Sequence, residues 1–388
     1  MERKHWIDNL RWVTVLLVLF YHVIYFYNAK GVFGGIGGFY EVQPWDALMS
    51  LLYPWFMMLL FLVAGISSKY ALGSAVAGPV EAPHMLSHRQ FIRSRTRKLL
   101  VPSTIGLLVF QWMVGYFNTV VAARQGVFDG VPAVGRYFIM AFSGIGPLWF
   151  VQDLWLFSML LVLFRVIGKG WLDRWIDRLE ARYEEASIPF ITPVLAVSSV
   201  LLFFGAQFLV MHPRPASADG LWNLYRPVTY FVLFLLGYYV FSRDYVQEMV
   251  AKLRIGSLVF AIGTGVAYTI VNYGKNDTDP LVLRSVLCNV FAWFAILAML
   301  GCFKAWADKT SPFAAYMTRN SYGVYIVHYL VIASFGYMMK THTTLAPWMQ
   351  YAILFVAVMT IPFALNEIIK RIPFVRWCVL GIKQSNSK

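Results

Sequence analysis

Two histidines, one aspartate and a run of arginines are the residues whose types and positions in this chain could do chemistry. His22 lies inside the apolar run from Val13 to Tyr27. An ionisable group in such a run is costly to hold in hydrocarbon, so it marks a functional candidate facing a bundle interior or a wet cavity. With an ordinary pKa near 6.5, an imidazole there could take a proton from a hydroxyl and return it. Arg11 stands eleven residues earlier. Eleven steps of about 100° end about 20° past three full turns, which puts both side chains on one helix face about 16 Å apart.

Asp153, in Gly146-Pro147-Leu148-Trp149-Phe150-Val151-Gln152-Asp153, is expected at about the depth of His22. A carboxylate beside a histidine would orient the ring and stabilise its protonated form. His328 is a second deep histidine. Plainer readings stand beside these: His22 bonded to a neighbouring hydroxyl such as Tyr21 or Tyr25, Arg11 as one more boundary cation, Asp153 as a separate hydrogen-bonded carboxylate. In Arg93-Ser94-Arg95-Thr96-Arg97-Lys98, four cations fall within six residues ahead of Pro102. The guanidinium fork suits bidentate phosphate binding, against simple anchoring to lipid headgroups.

The elements that must position these residues follow from composition. Of 388 residues 59% are hydrophobic and 13% charged, far from a soluble domain's share of about 25% charged. A bilayer is therefore the expected solvent. Ten apolar runs, at 9–28, 45–70, 99–122, 147–168, 190–211, 224–241, 255–273, 281–303, 320–339 and 346–368, each approach the roughly 20 residues a helix needs to cross hydrocarbon. Period-2 alternation of the barrel type is absent. Pro54, Pro102, Pro193 and Pro362 fall in or at the starts of these runs and are expected as kinks rather than breaks.

With the N-terminus inside, all but eight of the 33 Lys and Arg residues (Lys30, Arg124, Arg136, Arg214, Arg226, Lys275, Arg284, Lys340) fall on the inner side. By the positive-inside rule both termini are cytoplasmic. The expected fold class is thus an all-α polytopic membrane protein, a bundle of about ten transmembrane helices in the cell membrane. Residues 1–370 form one domain, followed by a short basic cytoplasmic tail at 371–388. The net charge of +14 is read as membrane topology, not nucleic-acid binding. The stretch from Trp171 to Leu179 reads as an amphipathic helix on the inner face, with its Trp residues at the interface. Gly34–Gly38 reads as a flexible lid or plain linker, too weak a signal for a phosphate cradle. Cys288, Cys302 and Cys378 have neither metal-ligand nor disulfide spacing, and no metal is expected. Tyr40, Trp45, Trp222 and Tyr225 suit sugar stacking and interfacial anchoring equally.

Together these features resemble the membrane-bound acyltransferase-3 family. Trp6-Ile7-Asp8-Asn9-Leu10-Arg11-Trp12 through Tyr21-His22-Val23 is similar to its first-helix signature, an arginine and a histidine separated by ten residues. Arg95 and Arg97 match its R-x-R motif, Leu148-Trp149-Phe150 its LWF element, and Ser321-Tyr322-Gly323-Val324-Tyr325-Ile326-Val327-His328 its Y-G-x-Y-x-x-H element. The resemblance covers essentially the whole chain. A departure is Lys98 in Lys98-Leu99-Leu100-Val101-Pro102, where the family more often carries Arg, so the first phosphate ligand is either Arg93 or Arg95.

The resemblance implies transfer of an acyl group, commonly acetyl, from cytoplasmic acyl-CoA to a hydroxyl of an extracytoplasmic or lipid-linked acceptor, usually a carbohydrate. His22, Arg11 and Asp153 would be catalytic; Arg93, Arg95, Arg97 and Lys98 would hold the CoA phosphates; Trp149, Tyr25 and His328 would meet the substrate. The competing reading is a proton-coupled secondary transporter with His22, Asp153 and His328 as a relay. It leaves the arginine cluster without a role, and the paired broken helices common in transporters are not visible. A purely structural membrane protein comes third.

Overall fold

The computed structural model describes residues 4–27, 39, 41–73, 85–124, 126–185, 191–210 and 226–382. The Gly34–Gly38 loop, Tyr40, Trp222 and Tyr225 lie outside them. Among the described residues there are helices and turns and no strand. Eight helices are long and apolar enough to cross a membrane: His5–Tyr27, Asp46–Leu72, His88–Val120, Gly146–Ile167, Arg254–Asn272, Val286–Trp306, Pro312–His342 and Pro347–Arg371. Two shorter apolar helices, Pro193–Phe208 and Pro227–Phe241, occupy the fifth and sixth positions, so each of the ten apolar runs carries helix among its described residues. They are called the first to tenth segments below. The protein is an all-α polytopic membrane protein.

The prolines act differently from one another. Pro362 sits inside the uninterrupted tenth segment. Pro54 does more than kink: the second segment is helical at Asp46–Leu52 and again at Phe56–Leu72, with a turn between. Ahead of Pro102 the third segment widens into a π-helical turn, Thr96–Leu100, in which the Val101 N–H reaches back to the Thr96 carbonyl. Proline has no N–H for the carbonyl four residues back, and that carbonyl, of Lys98, accepts instead from the Tyr322 hydroxyl. Ser103 Oγ bonds the Leu99 carbonyl at 2.8 Å and Thr104 Oγ1 the Leu100 carbonyl at 2.6 Å, so the loosened turn keeps its polar groups satisfied. A second π-helical turn follows at Leu107–Gln111. The third segment begins at a capping box, Ser87 Oγ accepting from the Gln90 N–H and Gln90 Oε1 from the Ser87 N–H.

The amphipathic stretch after the fourth segment is a helix, Trp171–Glu185. Its Trp171 and Trp175 are exposed and stacked 6.2 Å apart. On its other face Asp173 is fully buried, 3.0 Å from Lys69 Nζ and 3.8 Å from Arg165 Nε, and Asp177 lies 2.8 Å from Arg243. These ion pairs fasten the helix to the ends of the second, fourth and sixth segments. Residues 373–380, read from sequence within a basic tail, form a helix that buries Cys378, Val379 and Leu380. Gly381, at its end, has φ 63° and packs against the backbone of Arg97 and Lys98, where a Cβ would collide.

Candidate active site

The first segment packs along the ninth, and this packing, not depth alone, chooses the partner of His22. His22 Nδ1 lies 2.9 Å from the Val18 carbonyl and 3.3 Å from His328 Nε2, while His328 Nδ1 meets the Tyr325 carbonyl. A carbonyl only accepts, so the partners assign the protons: Nδ1–H on both rings. His328 Nε2 is then a lone pair receiving the His22 Nδ1–H, and His22 Nε2 is left bare as a base. A fully buried neutral imidazole thus occupies the place that a carboxylate holds in a Ser-His-Asp triad.

Matched depth suggested Asp153 for that place. Asp153 instead makes no hydrogen bond or ion pair with any described residue. It lies one helical turn beyond Trp149, which with Gly146 and Pro147 brings the start of the fourth segment to the cavity wall. Equal depth leaves azimuth undetermined, and the azimuth is set by which helices touch. The alternative in which His22 bonds Tyr21 or Tyr25 is not seen either; its hydrogen bonds go to Val18 and His328.

His22 opens on a cavity of about 640 Å³. Its wall is aromatic, with Tyr21, Tyr25, Tyr53, Trp149, Tyr230, Tyr325 and Tyr329, and neutral polar groups come from Asn118, Thr119, Ser143 and Thr278. Among the described residues no Lys, Arg, Asp or Glu lines it. Tyr25 and Trp149 are thus on the wall, whereas His328 is behind His22, fully buried, and does not line the cavity. The Y-G-x-Y-x-x-H run works along one helix: Tyr322 holds the Lys98 carbonyl, Tyr325 the Pro147 carbonyl, and His328 holds His22. Gly323 permits the close approach of Asn366 on the tenth segment, where a Cβ would collide. At Gly146 the backbone has φ 42° beside the Tyr329 ring, a left-handed turn that glycine adopts without strain.

Arg11 is about three helical turns from His22 along the first segment. Its Nη2 bonds Ser67 Oγ at 2.7 Å, and its Nη1 lies 3.4 Å from Asp8. Arg95 Nη2 bonds the adjacent Ser68 Oγ at 3.1 Å and stacks on Phe91 at 4.9 Å. The serine pair therefore seats the arginines of the first and third segments side by side. Arg97 Nε is buried with no hydrogen-bond partner, and Arg93 and Lys98 are exposed. Among the described residues none of Arg93, Arg95, Arg97 and Lys98 has a carboxylate partner.

Ser67, Ser68, Tyr53, Tyr230 and Tyr329 were not singled out from sequence. A serine pair closing an apolar run was a usable signal; single tyrosines in a chain with 22 of them were not. Comparison finds no match among curated proteins and none among solved structures. The family model of the acyltransferase-3 family, described as an acyltransferase domain, matches residues 4–367, nearly the whole chain. With a deep histidine oriented at a cavity and an arginine cluster at the other end of its helix, the chain belongs to the acyltransferase-3 family and is a membrane acyltransferase.

Proposed function

We propose that the protein is an O-acyltransferase of the cell membrane, with both termini cytoplasmic, that moves an acetyl group from acetyl-CoA to a hydroxyl of an extracytoplasmic or lipid-linked carbohydrate. The observation that carries this reading is His22: its Nδ1–H is held by Val18 and His328, and the ring stands on the wall of an aromatic cavity. Arg95 and Arg97, with Arg93 and Lys98, would hold the phosphates of the CoA, since a donor-only cation with no carboxylate partner among the described residues suits a phosphate. The pantetheine arm would carry the thioester into the bundle towards His22.

His22 Nε2 takes the proton of the acceptor hydroxyl as its oxygen forms a bond to the thioester carbonyl carbon. The carbon–sulfur bond then breaks, and the thiolate of CoA leaves with the proton that His22 returns. His328 Nε2 steadies the imidazolium between these steps by accepting the Nδ1–H. Tyr25 and Trp149 would stack on the acceptor. Asp153 makes no hydrogen bond or ion pair with any described residue and is given no step in this sequence.

Purified protein given labelled acetyl-CoA should release CoA and transfer label, and His22→Ala should lower turnover by about 10²- to 10⁴-fold, the usual contribution of a general base. Near-normal turnover in that variant would sink the mechanism. For the orientation, in a chain lacking Cys288, Cys302 and Cys378, a cysteine at Ser87 should resist a membrane-impermeant thiol reagent until cells are lysed. Labelling in intact cells would put the arginine cluster on a side without CoA.

A further inference from the structure

Arg226 is a buried cation that the mechanism above does not use. It is 1% exposed and forms no ion pair with any described residue. Its guanidinium lies 5.4 Å from the centre of the Tyr53 ring and 5.3 Å from that of Tyr230, and its Nη2 bonds the Tyr230 hydroxyl at 3.0 Å. Nε and Nη1 have no hydrogen-bond partner. Its backbone is held at φ 41°, ψ 48° immediately before Pro227. That conformation is unfavourable for a side-chain-bearing residue and again for one that precedes proline. Residues kept in such conformations by their surroundings gather at functional sites.

The chemistry of the contact has a direction. A guanidinium has five donors and no acceptor, so in the Arg226–Tyr230 bond the phenol oxygen must accept. The hydroxyl proton of Tyr230 is then left to be donated elsewhere, and no described residue receives it. Asp153 makes no hydrogen bond to it. Tyr230 lines the cavity shared with His22; Arg226 is not on that wall. A cation bonded to the phenol oxygen polarises the O–H and strengthens it as a donor.

We infer that Tyr230, polarised and oriented by Arg226 behind it, is a hydrogen-bond donor on the cavity wall that anchors an oxygen of the acceptor. It would take an uncharged oxygen-rich molecule, in which ring faces stack on Trp149, 5.5 Å from Tyr230, while one oxygen lone pair receives the phenol proton. Tyr230 touches the ligand; Arg226 is a positioning residue. The assignment rests on the reading of this cavity as the acceptor site.

The test uses full-length protein in lipid nanodiscs and a panel of neutral monosaccharides (glucose, galactose, mannose and N-acetylglucosamine), with affinities measured by calorimetry. Tyr230→Phe should weaken the best-bound sugar about tenfold, the value of one good hydrogen bond. Arg226→Gln should weaken it by a similar factor and Arg226→Lys by less. The double variant Tyr230→Phe/Arg226→Gln should bind no worse than Tyr230→Phe, a non-additivity that a merely structural role of Arg226 would not produce. Equal affinity in wild type and Tyr230→Phe, additive losses in the double variant, or no sugar bound by the wild type would each overturn the inference. Wild-type turnover of acetyl-CoA is measured separately. Its absence would overturn the acyl-transfer reading, while the affinity ratios would still decide the role of Tyr230.

Discussion

One end of the bundle carries two groups of cations built in opposite ways. In the first, Lys69, Arg165 and Arg243 are close to nine-tenths buried or more and meet Asp173 and Asp177. Arg165 also bonds the Gly73 carbonyl at 3.0 Å and the Tyr238 hydroxyl. In the second, Arg95, Arg97 and Lys98 lack carboxylates among the described residues, and Arg95 is seated on Ser68 and Phe91. Lys4, ahead of the first segment, follows the first pattern. Burial pulls its pKa down, but hydrogen bonds to Asp244 and Tyr70 outweigh that and raise it above the usual value. Cations neutralised by the protein's own carboxylates fasten helices to one another. Those without a counter-charge among the described residues are the ones proposed to meet the CoA phosphates.

This contrast can be broken by removing one member of each group. The largest effect on stability is expected at Asp173→Ala, which strands Lys69 and Arg165 as buried cations. Removing one partner of a buried pair costs about 3–5 kcal/mol, so the thermal midpoint should fall sharply in detergent, while the fraction still folded binds acetyl-CoA normally. A loss of acetyl-CoA affinity at unchanged stability would reverse the assignment of the two groups.

Arg95→Ala and Arg97→Ala should do the opposite. Each removes charge-assisted contacts of about 1.5–3 kcal/mol, so acetyl-CoA affinity should drop about 10- to 100-fold with a small change in the thermal midpoint. The wild-type affinity should also weaken with rising salt, because charges at a solvent-facing mouth are screened. Affinity indifferent to both substitutions and to salt would return these arginines to lipid anchoring.

The smallest effect is expected at Tyr322→Phe, which leaves the Lys98 carbonyl without its donor. The cost should be about 1 kcal/mol of stability, with a modest loss of acetyl-CoA affinity as the π-helical turn that carries Arg97 and Lys98 relaxes. Hydrogen exchange localised to Thr96–Leu100 would report it. Unaltered exchange there would mean that the turn is held by its side-chain serine and threonine bonds alone.

The fold was legible in the sequence wherever hydrophobic length decides. Each of the ten apolar runs is helical among its described residues, eight of them long enough to cross a membrane, since a backbone in hydrocarbon has to satisfy its own hydrogen bonds. The amphipathic stretch from Trp171 was legible for the same reason of pattern, with Asp173 facing in and Trp171 and Trp175 facing out. Pro54 was misjudged because a kink and a break differ in what the neighbouring helices can supply, and no local pattern states that.

For the site, the sequence by itself determined which residues were too expensive to be idle. A histidine in the middle of a first apolar helix and arginines crowded ahead of Pro102 announce themselves by desolvation cost. Only the tertiary structure decided who stands next to whom. It gave His22 a histidine for a partner instead of Asp153, seated Arg11 and Arg95 on Ser67 and Ser68, and set the guanidinium of Arg226 on the hydroxyl of Tyr230. Depth along a helix is a count of residues, and a sequence contains it. The rotation of one helix against another is set by packing between residues hundreds of positions apart, such as His22 and His328, and it is this rotation that makes a base, a seat or a donor.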